Sequence, residues 1–566
     1  MKKLFLFKFL ICLLFFINSV QAKKIYLVPN GIANFTTQGS GSQTLPYNLM
    51  YGLYAAAAND SVLLNGTFNR TEQIYIAYSN IYIGSWGTGG IITGNTNMAL
   101  PGVNLMVIYN GINVTIDNLS FQDNWGNGAR GIYVWGKGNN VTIKNCKFKN
   151  IGWSQSRTAT IPPGFGAHAI LVLGNKNAGS YTNTKISGNT ITDCITGYSE
   201  SITMAGNVDG FMVEDNVITN NTNIGIDIAG HFPWVRDWDT NEVILPALNQ
   251  ARNGTIRGNT VTKSISLIAA SAGIYCDGCR NVTIERNLLV ENAAGISIGC
   301  EVGGNKTASK VKVLNNIIRD SKVCGLFLGS LSSELSSQGP SYVDSCEVRN
   351  NTFYKNSAQP TFYVGGTNDY AVFLQNSRFN TFTHNILFLN DATKGIVSAS
   401  ASNVANFTLD YNLFFRPNDE ENNLVDSYGT PIIHGPNAYY QDPEFSSLTT
   451  FKLKNWSGAV NSGKPSVVLT PNEKDRAGSN RKFSTTRVDI GALESTSTIA
   501  GIAPNLIICD GVLNPQSSRI AFQSLPDDSL TVYPNPTTEQ LNFRFEESPE
   551  EEVTVQVVDS FGLILQ

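Results

Sequence analysis

Three acidic residues follow the glycine of one recurring short pattern, two, four and six places on. They lie in Gly225-Ile-Asp-Ile228, Gly273-Ile-Tyr-Cys-Asp277 and Gly295-Ile-Ser-Ile-Gly-Cys-Glu301. In an extended chain, alternate side chains point to opposite faces. With the isoleucines turned to a core, Asp227, Asp277 and Tyr275 turn outward, and Glu301 opens the following loop. Gly131-Ile-Tyr-Val-Trp135 turns Tyr133 and Trp135 outward in the same way. Carboxylates on stacked strands ~5–10 Å apart span the separations used to cleave glycosidic bonds. Asp227, Asp277 and Glu301 are equally the candidate oxygen ligands for calcium. A single outward acid is ordinarily just solvated. Three together beside one long loop make the group worth following.

That loop is the insertion 229–253, which carries His231, Trp234, Arg236 and Trp238. Aromatic faces stack on sugar rings, and arginine pairs with the carboxylates of acidic sugars. Trp135, Trp234, Trp238 and Tyr275 are therefore the candidate substrate-binding residues. The blander readings are that His231 only hydrogen-bonds within its loop and that the tryptophans only pack it down. A second insertion, 152–168, is the candidate opposite wall. Glu200 falls near a corner, and its direction is open.

What positions these residues is a repeat. The unit reads apolar-x-apolar-x-x-Asn-x-apolar, then a polar break, then Gly-apolar-x-apolar; Val282 to Ile298 is the clearest copy. The Asn falls at 189, 216, 259, 287, 316, 351, 385 and 412, a spacing of about 27 residues lengthened by insertions. Asn118 and Asn145 sit one place earlier. A unit of that length fits one coil of three short strands. An Asn at the same corner of every coil predicts a ladder of side-chain amides.

This pattern, over roughly 60–430, resembles the right-handed parallel β-helix superfamily that includes pectate lyases and related polysaccharide lyases and hydrolases. The resemblance implies an all-β, right-handed parallel β-helix solenoid. It also implies a groove on the second strand after the Asn corner: 131–135, 225–228, 273–277, 295–298 and 325–328. The first expectation is a lyase acting on a uronate-containing polysaccharide. Asp227, Asp277 and Glu301 would hold calcium or neutralise the acid, and Arg280, Arg236 or His231 would serve as base or clamp. The alternatives are a glycoside hydrolase using Asp227 and Asp277, and a non-enzymatic surface protein that binds glycans.

The ends carry different signals. Lys2, Lys3 and Lys8 precede the apolar run Phe9 to Ile17 and then Ser19-Val-Gln-Ala22, which reads as a signal peptide, 1–22. The β-helix is expected over 23–495. Its first coil would be capped by a short helix within 48–58, and its end closed by segments at 442–445, 451–453 and 489–494. A linker, 496–530, follows. Residues 531–566, with Tyr533-Pro-Asn-Pro536, resemble part of the type IX secretion sorting domain of Bacteroidetes-type bacteria, which implies a small β-sandwich-like tail and the secretion machinery as partner. Forty basic against 44 acidic residues give a net charge of −4, a poor balance for nucleic acid. No segment after the leader is long and apolar enough to span a bilayer. Of nine cysteines only Cys276 and Cys279 are close in sequence, so buried small apolar residues are expected rather than a zinc site.

Overall fold

The computed structural model describes residues 22–497, apart from 36–39, 77, 98–99, 267–270, 331–337, 360–368, 392, 400–403, 418–423, 428–431, 433 and 482–486, together with four short strands between 530 and 565. The chain winds through parallel strands, each paired to its counterpart one coil away. Twelve strands, from Ile74–Ile76 to Val425–Ser427, form one continuous sheet. The strands of the other two sides join into one sheet of 28. They join because Ser61–Asn69 and Ile81–Thr93 run through a corner that later coils break. The result is the right-handed parallel β-helix expected from the repeat.

The core follows from alternation. Ile132, Ile170, Ile202, Ile226, Ile274, Ile296, Leu326, Val372 and Ile396 stack in register along the twelve-stranded sheet. All are fully buried. Each contributes about 1.5–3 kcal/mol by leaving water. The seven cysteines of the described coils are free and buried, as expected of small apolar fillers.

The corner amides form the predicted ladder. From Asn189 to Asn412, each Asn Nδ2 donates to the Oδ1 of the next at 2.9–3.1 Å. Asn118 and Asn145 stand outside it. They occupy the preceding position, which is left-handed in every coil: φ is 54° and 53° there, 57° at Arg286 and 54° at Tyr411. Asn tolerates that backbone better than most residues. Cys146 takes the ladder place in its coil and donates its N–H to Asn189 Oδ1 at 2.9 Å.

The capping helix spans Leu49–Ala55, shorter than the 48–58 window. Asn48 caps it, its Oδ1 accepting the Tyr51 N–H at 2.9 Å. Gly52 is required because a Cβ there would lie 1.8 Å from Leu27 Cδ2.

The closing segments fold back on the flank of the coils. Phe451, Ala492 and Leu493 pack on Ile317 and Tyr354. Glu473 takes a two-pronged bond from Arg349, both arms 2.9 Å. Residues 1–21 of the signal peptide and 498–529 of the linker lie outside the described residues. Within the tail, two antiparallel pairs are described, Leu530–Tyr533 with Asn542–Phe545 and Val557–Val558 with Ile564–Leu565; the expected sandwich lies outside the described residues. No described helix is long and apolar enough to cross a membrane.

Candidate active site

The expected groove strands all belong to the twelve-stranded sheet: Arg130–Gly136, Ile226–Ala229, Ala272–Asp277, Ala294–Gly299 and Cys324–Gly329. Two outward rows run along it. One reads Tyr75, Val107, Tyr133, Leu171, Thr203, Asp227, Tyr275, Ser297 and Phe327. The other reads Tyr109, Trp135, Leu173, Ala205, Ala229, Asp277 and Gly299. Asp227 pairs with Tyr275, so Asp277 sits one coil on and two residues along. That diagonal is ~8 Å between Cα atoms.

Asp227, Asp277 and Glu301 come together as expected, but the two aspartates are not solvated. Asp227 is 6% and Asp277 3% exposed. Burial holds the Asp227 carboxyl well above its ordinary range, and Glu200, Asp277 and Glu301 add to the effect. Asp227 Oδ1 has no hydrogen-bond partner. Burial likewise raises Asp277, with Glu301 adding, but the Glu301 N–H donates to Asp277 Oδ1 at 2.8 Å and opposes the rise. Glu301 stands at the exposed rim; loss of water around its carboxyl and the nearby Glu200 raise it. Tyr275 OH donates to Glu301 Oε1 at 3.5 Å.

Glu200, whose direction is open in the sequence, and His168, which no sequence pattern marks, stand beside each other. Glu200 Oε2 lies 3.4 Å from His168 Nε2 and accepts the Thr203 hydroxyl at 2.8 Å. Burial pushes His168 down in pKa, and Glu200 opposes that. These residues belong to the same carboxylate group as Asp227. The available signal was position: His168 opens the groove strand His168–Gly174, in register with Arg130.

The candidate cations are not brought to the carboxylates. His231 packs on Gly278, but its Nε2 lies 2.8 Å from Gln250 Nε2 and 3.2 Å from Thr307 O, and burial lowers its pKa. It is fastened between Gln250 of its own loop and the strand Thr307–Ser309. Arg236 is exposed, donates to Asn241 O at 2.9 Å and lines a different cleft. Arg280 opens the next strand, around the corner, with its side chain exposed. Among the described residues, no Lys or Arg forms an ion pair with Asp227, Asp277 or Glu301. Nor are any three His, Cys, Asp or Glu side chains grouped to hold a metal ion.

The loop 229–253 also departs from expectation. Its two ends adjoin the Asp277 strand, Ala229 by pairing with Asp277 and Gln250 by donating to Gly278 O at 2.9 Å. Val235 and Ile244 pack over Leu173, Ala205 and Ala229, so the loop leans toward the first coils. Its tip is fixed there by the Trp238 N–H to Asn175 O at 3.1 Å and the Asn177 N–H to Asp237 Oδ2 at 2.6 Å. Trp234 and Trp238 remain 58% and 63% exposed. With Trp135 they line a cleft of 670 Å³. Tyr275 stays with the acids; Trp135, Trp234 and Trp238 do not. The segment 152–168 lies on the other flank, where the Tyr198 N–H reaches Phe165 O at 2.9 Å, beside Glu200.

Comparison with known proteins adds the following. Residues 236–430 match the family model described as NosD, periplasmic copper-binding protein. The chain is 26% identical over 451 residues to the uncharacterized protein YwoF of Bacillus subtilis (strain 168), covering 75% of this chain and 89% of that one. Among solved structures it is similar to XylC in complex with xylose, at 11% identity and a TM-score of 0.48, over 84% of this chain and 99% of that one. It is also similar to pectate lyase Pel9A, at 16% and 0.39, over 83% and 96%. A third similarity is to the A-module of the Azotobacter vinelandii mannuronan C-5 epimerase AlgE6, at 15% and 0.39, over 63% and 91%.

Proposed function

We propose that this protein is a carbohydrate-active enzyme, and that its chemistry is glycoside hydrolysis by Asp227 and Asp277. One observation carries the reading: two buried acids stand on adjacent coils with no cation paired to either. Two such neighbours do not both ionise readily, so one holds a proton at neutral pH. Asp227, with no lowering hydrogen bond and a free Oδ1, is the proton donor to the leaving glycosidic oxygen. Asp277, held by the Glu301 N–H, is the base that takes a proton from water as the water oxygen bonds to the anomeric carbon. Side chains standing on one sheet face keep roughly the spacing of their Cα atoms. A separation of ~8 Å leaves room for that water, which fits inversion of configuration.

The uronate lyase was the first expectation from sequence. The placement of Arg236, Arg280 and His231 favours the hydrolase instead, since none faces the acids as base or clamp. A crowd of unpaired carboxylates also repels an acidic sugar at the cleavage point. A copper-binding role, as in the name of the family model, finds no donor set among the described residues: the buried cysteines have thiols pushed up by burial, to about 12 at Cys300, Cys324 and Cys346. His384 accepts the Lys464 N–H within the closing segment. The signal peptide, an extracellular or periplasmic location and delivery through the C-terminal tail belong to the same proposal.

The test is a panel of neutral and acidic polysaccharides, followed by reducing ends and by the ultraviolet absorbance of unsaturated uronates, with and without EDTA. Reducing ends without absorbance, unchanged by EDTA, are expected. Absorbance that EDTA abolishes would instead establish the calcium-dependent lyase. Glycan binding without either product would establish the non-enzymatic reading.

A further inference from the structure

The 670 Å³ cleft between the loop tip and the first coils is a second candidate site, apart from the acids. Its floor is aromatic. Tyr133 and Trp135 lie nearly parallel, at 9°, with centroids 6.0 Å apart. Trp238 meets Trp135 edge-on at 82° and 4.7 Å. Trp234 and Arg236 line the mouth. From Trp135 to Asp277 is four coil steps, ~19 Å. The row between them, Leu173, Ala205 and Ala229, is sealed under Val235 and Ile244.

A second, independent observation points to a ligand. Asn175 lines this cleft, is only 6% exposed, and its Oδ1 has no hydrogen-bond partner. A buried amide oxygen without a donor is costly unless something supplies one. Asp237, which lines the cleft beside Arg236, already accepts three backbone N–H groups. Its Oδ2 takes the Asn177 N–H at 2.6 Å, and its Oδ1 takes the Asp239 and Thr240 N–H groups at 2.9 and 3.4 Å.

We propose that this cleft is a glycan-binding site separate from the catalytic acids. A pyranose ring stacks its apolar face on the exposed Trp238, which Trp135 braces edge-on, and gives a hydroxyl hydrogen to Asn175 Oδ1. Flat aromatics with a polar edge suit a ring that is apolar on its face and hydroxylated at its rim. Arg236 adds a guanidinium that an acidic sugar would engage and a neutral one would not. The proposal rests on the carbohydrate reading above, but its test does not depend on cleavage.

The experiment is titration of the full chain carrying Asp227→Asn with cellohexaose, xylohexaose and oligogalacturonate, read by tryptophan fluorescence and by calorimetry. Saturable binding of at least one glycan is expected, weakened at least tenfold by Trp238→Ala and by Asn175→Ala. Circular dichroism checks that each variant is folded. Tighter binding of the oligogalacturonate, weakened by salt and by Arg236→Gln, would assign an acidic sugar; equal binding would assign a neutral one. Binding of none of the three, or binding unchanged in both the Trp238 and Asn175 variants, overturns the proposal. Failure of the hydrolase reading would appear only as absent cleavage by the wild-type chain.

Discussion

Asp227 illustrates how a side chain chosen for chemistry works against the fold. Its folded-state pKa is raised above the ordinary carboxyl value by burial and by three neighbouring acids. The folded chain therefore binds more protons than the unfolded one above about pH 4, and stability falls as pH rises through that window. Asp227→Asn should raise the melting temperature at pH 7, with the gain vanishing near pH 3–4, where both states are protonated. Paired thermal melts across pH check this; a lower melting temperature for the variant at pH 7 would show that Asp227 is stabilised as the anion. The outward aim of Asp227, Asp277 and Glu301 was legible, because alternation places them on one face. The burial of the two aspartates was not, because it depends on groups from neighbouring coils, such as the Glu301 N–H on Asp277. Glu200 and His168 stayed obscure for a related reason: the insertion before His168 and the corner at Glu200 interrupt the alternation that would have aimed them.

The coil is the element that positions all of this, and the Asn ladder sets its corner. Asn287 donates to Ile256 O and Asn316 Oδ1 at 3.0 Å each, and accepts from Asn259. It is completely buried. Asn287→Ala leaves several buried partners without bonds, at about 1–3 kcal/mol each, so a loss of about 3–5 kcal/mol is expected. Denaturant unfolding measures it; a loss below about 1 kcal/mol would mean that the ladder is incidental. This ladder could be read from the sequence because one residue type recurs at one place. The left-handed position before it could not, because Asn, Gly, Asp, Arg, His and Tyr all occupy it. The two-sided strand Ile81–Thr93 was missed because nothing in it marks a corner. The lean of the 229–253 loop was equally hidden: its anchors, Asn175 and Asn177, are two coils back and show no pattern.

Across the whole molecule, the closing segment ties the far coils together. Arg349 and Glu473 are buried, and Asn315 Nδ2 adds a bond to Glu473 Oε1 at 3.0 Å. Burial opposes the Glu473 charge, but the Arg349 fork and Asn315 outweigh it and hold the carboxyl at about 2. A depressed carboxyl stabilises the fold above its unfolded value, near 4.3, and loses that contribution as pH falls toward 2. Glu473→Gln should cost about 2–5 kcal/mol at pH 7 by breaking the buried fork and leaving Arg349 with Glu347 alone as its ion-pair partner, and the difference should shrink below about pH 4. Urea unfolding at pH 7 and pH 3 checks both parts. The segments at 442–445, 451–453 and 489–494 were legible as a closure, but not the ion pair that anchors it, because Arg349 and Glu473 are 124 residues apart.

The central claim is that Asp227 and Asp277 together form the cleaving centre. The measurement that tests it most directly is steady-state hydrolysis by wild type, Asp227→Asn and Asp277→Asn on the polysaccharide found by the reducing-end screen. General acid–base catalysis contributes about 10²–10⁴-fold. Each variant should lose at least 10²-fold in kcat with KM nearly unchanged and the fold intact by circular dichroism. Retention of kcat within threefold by either folded variant would contradict the account.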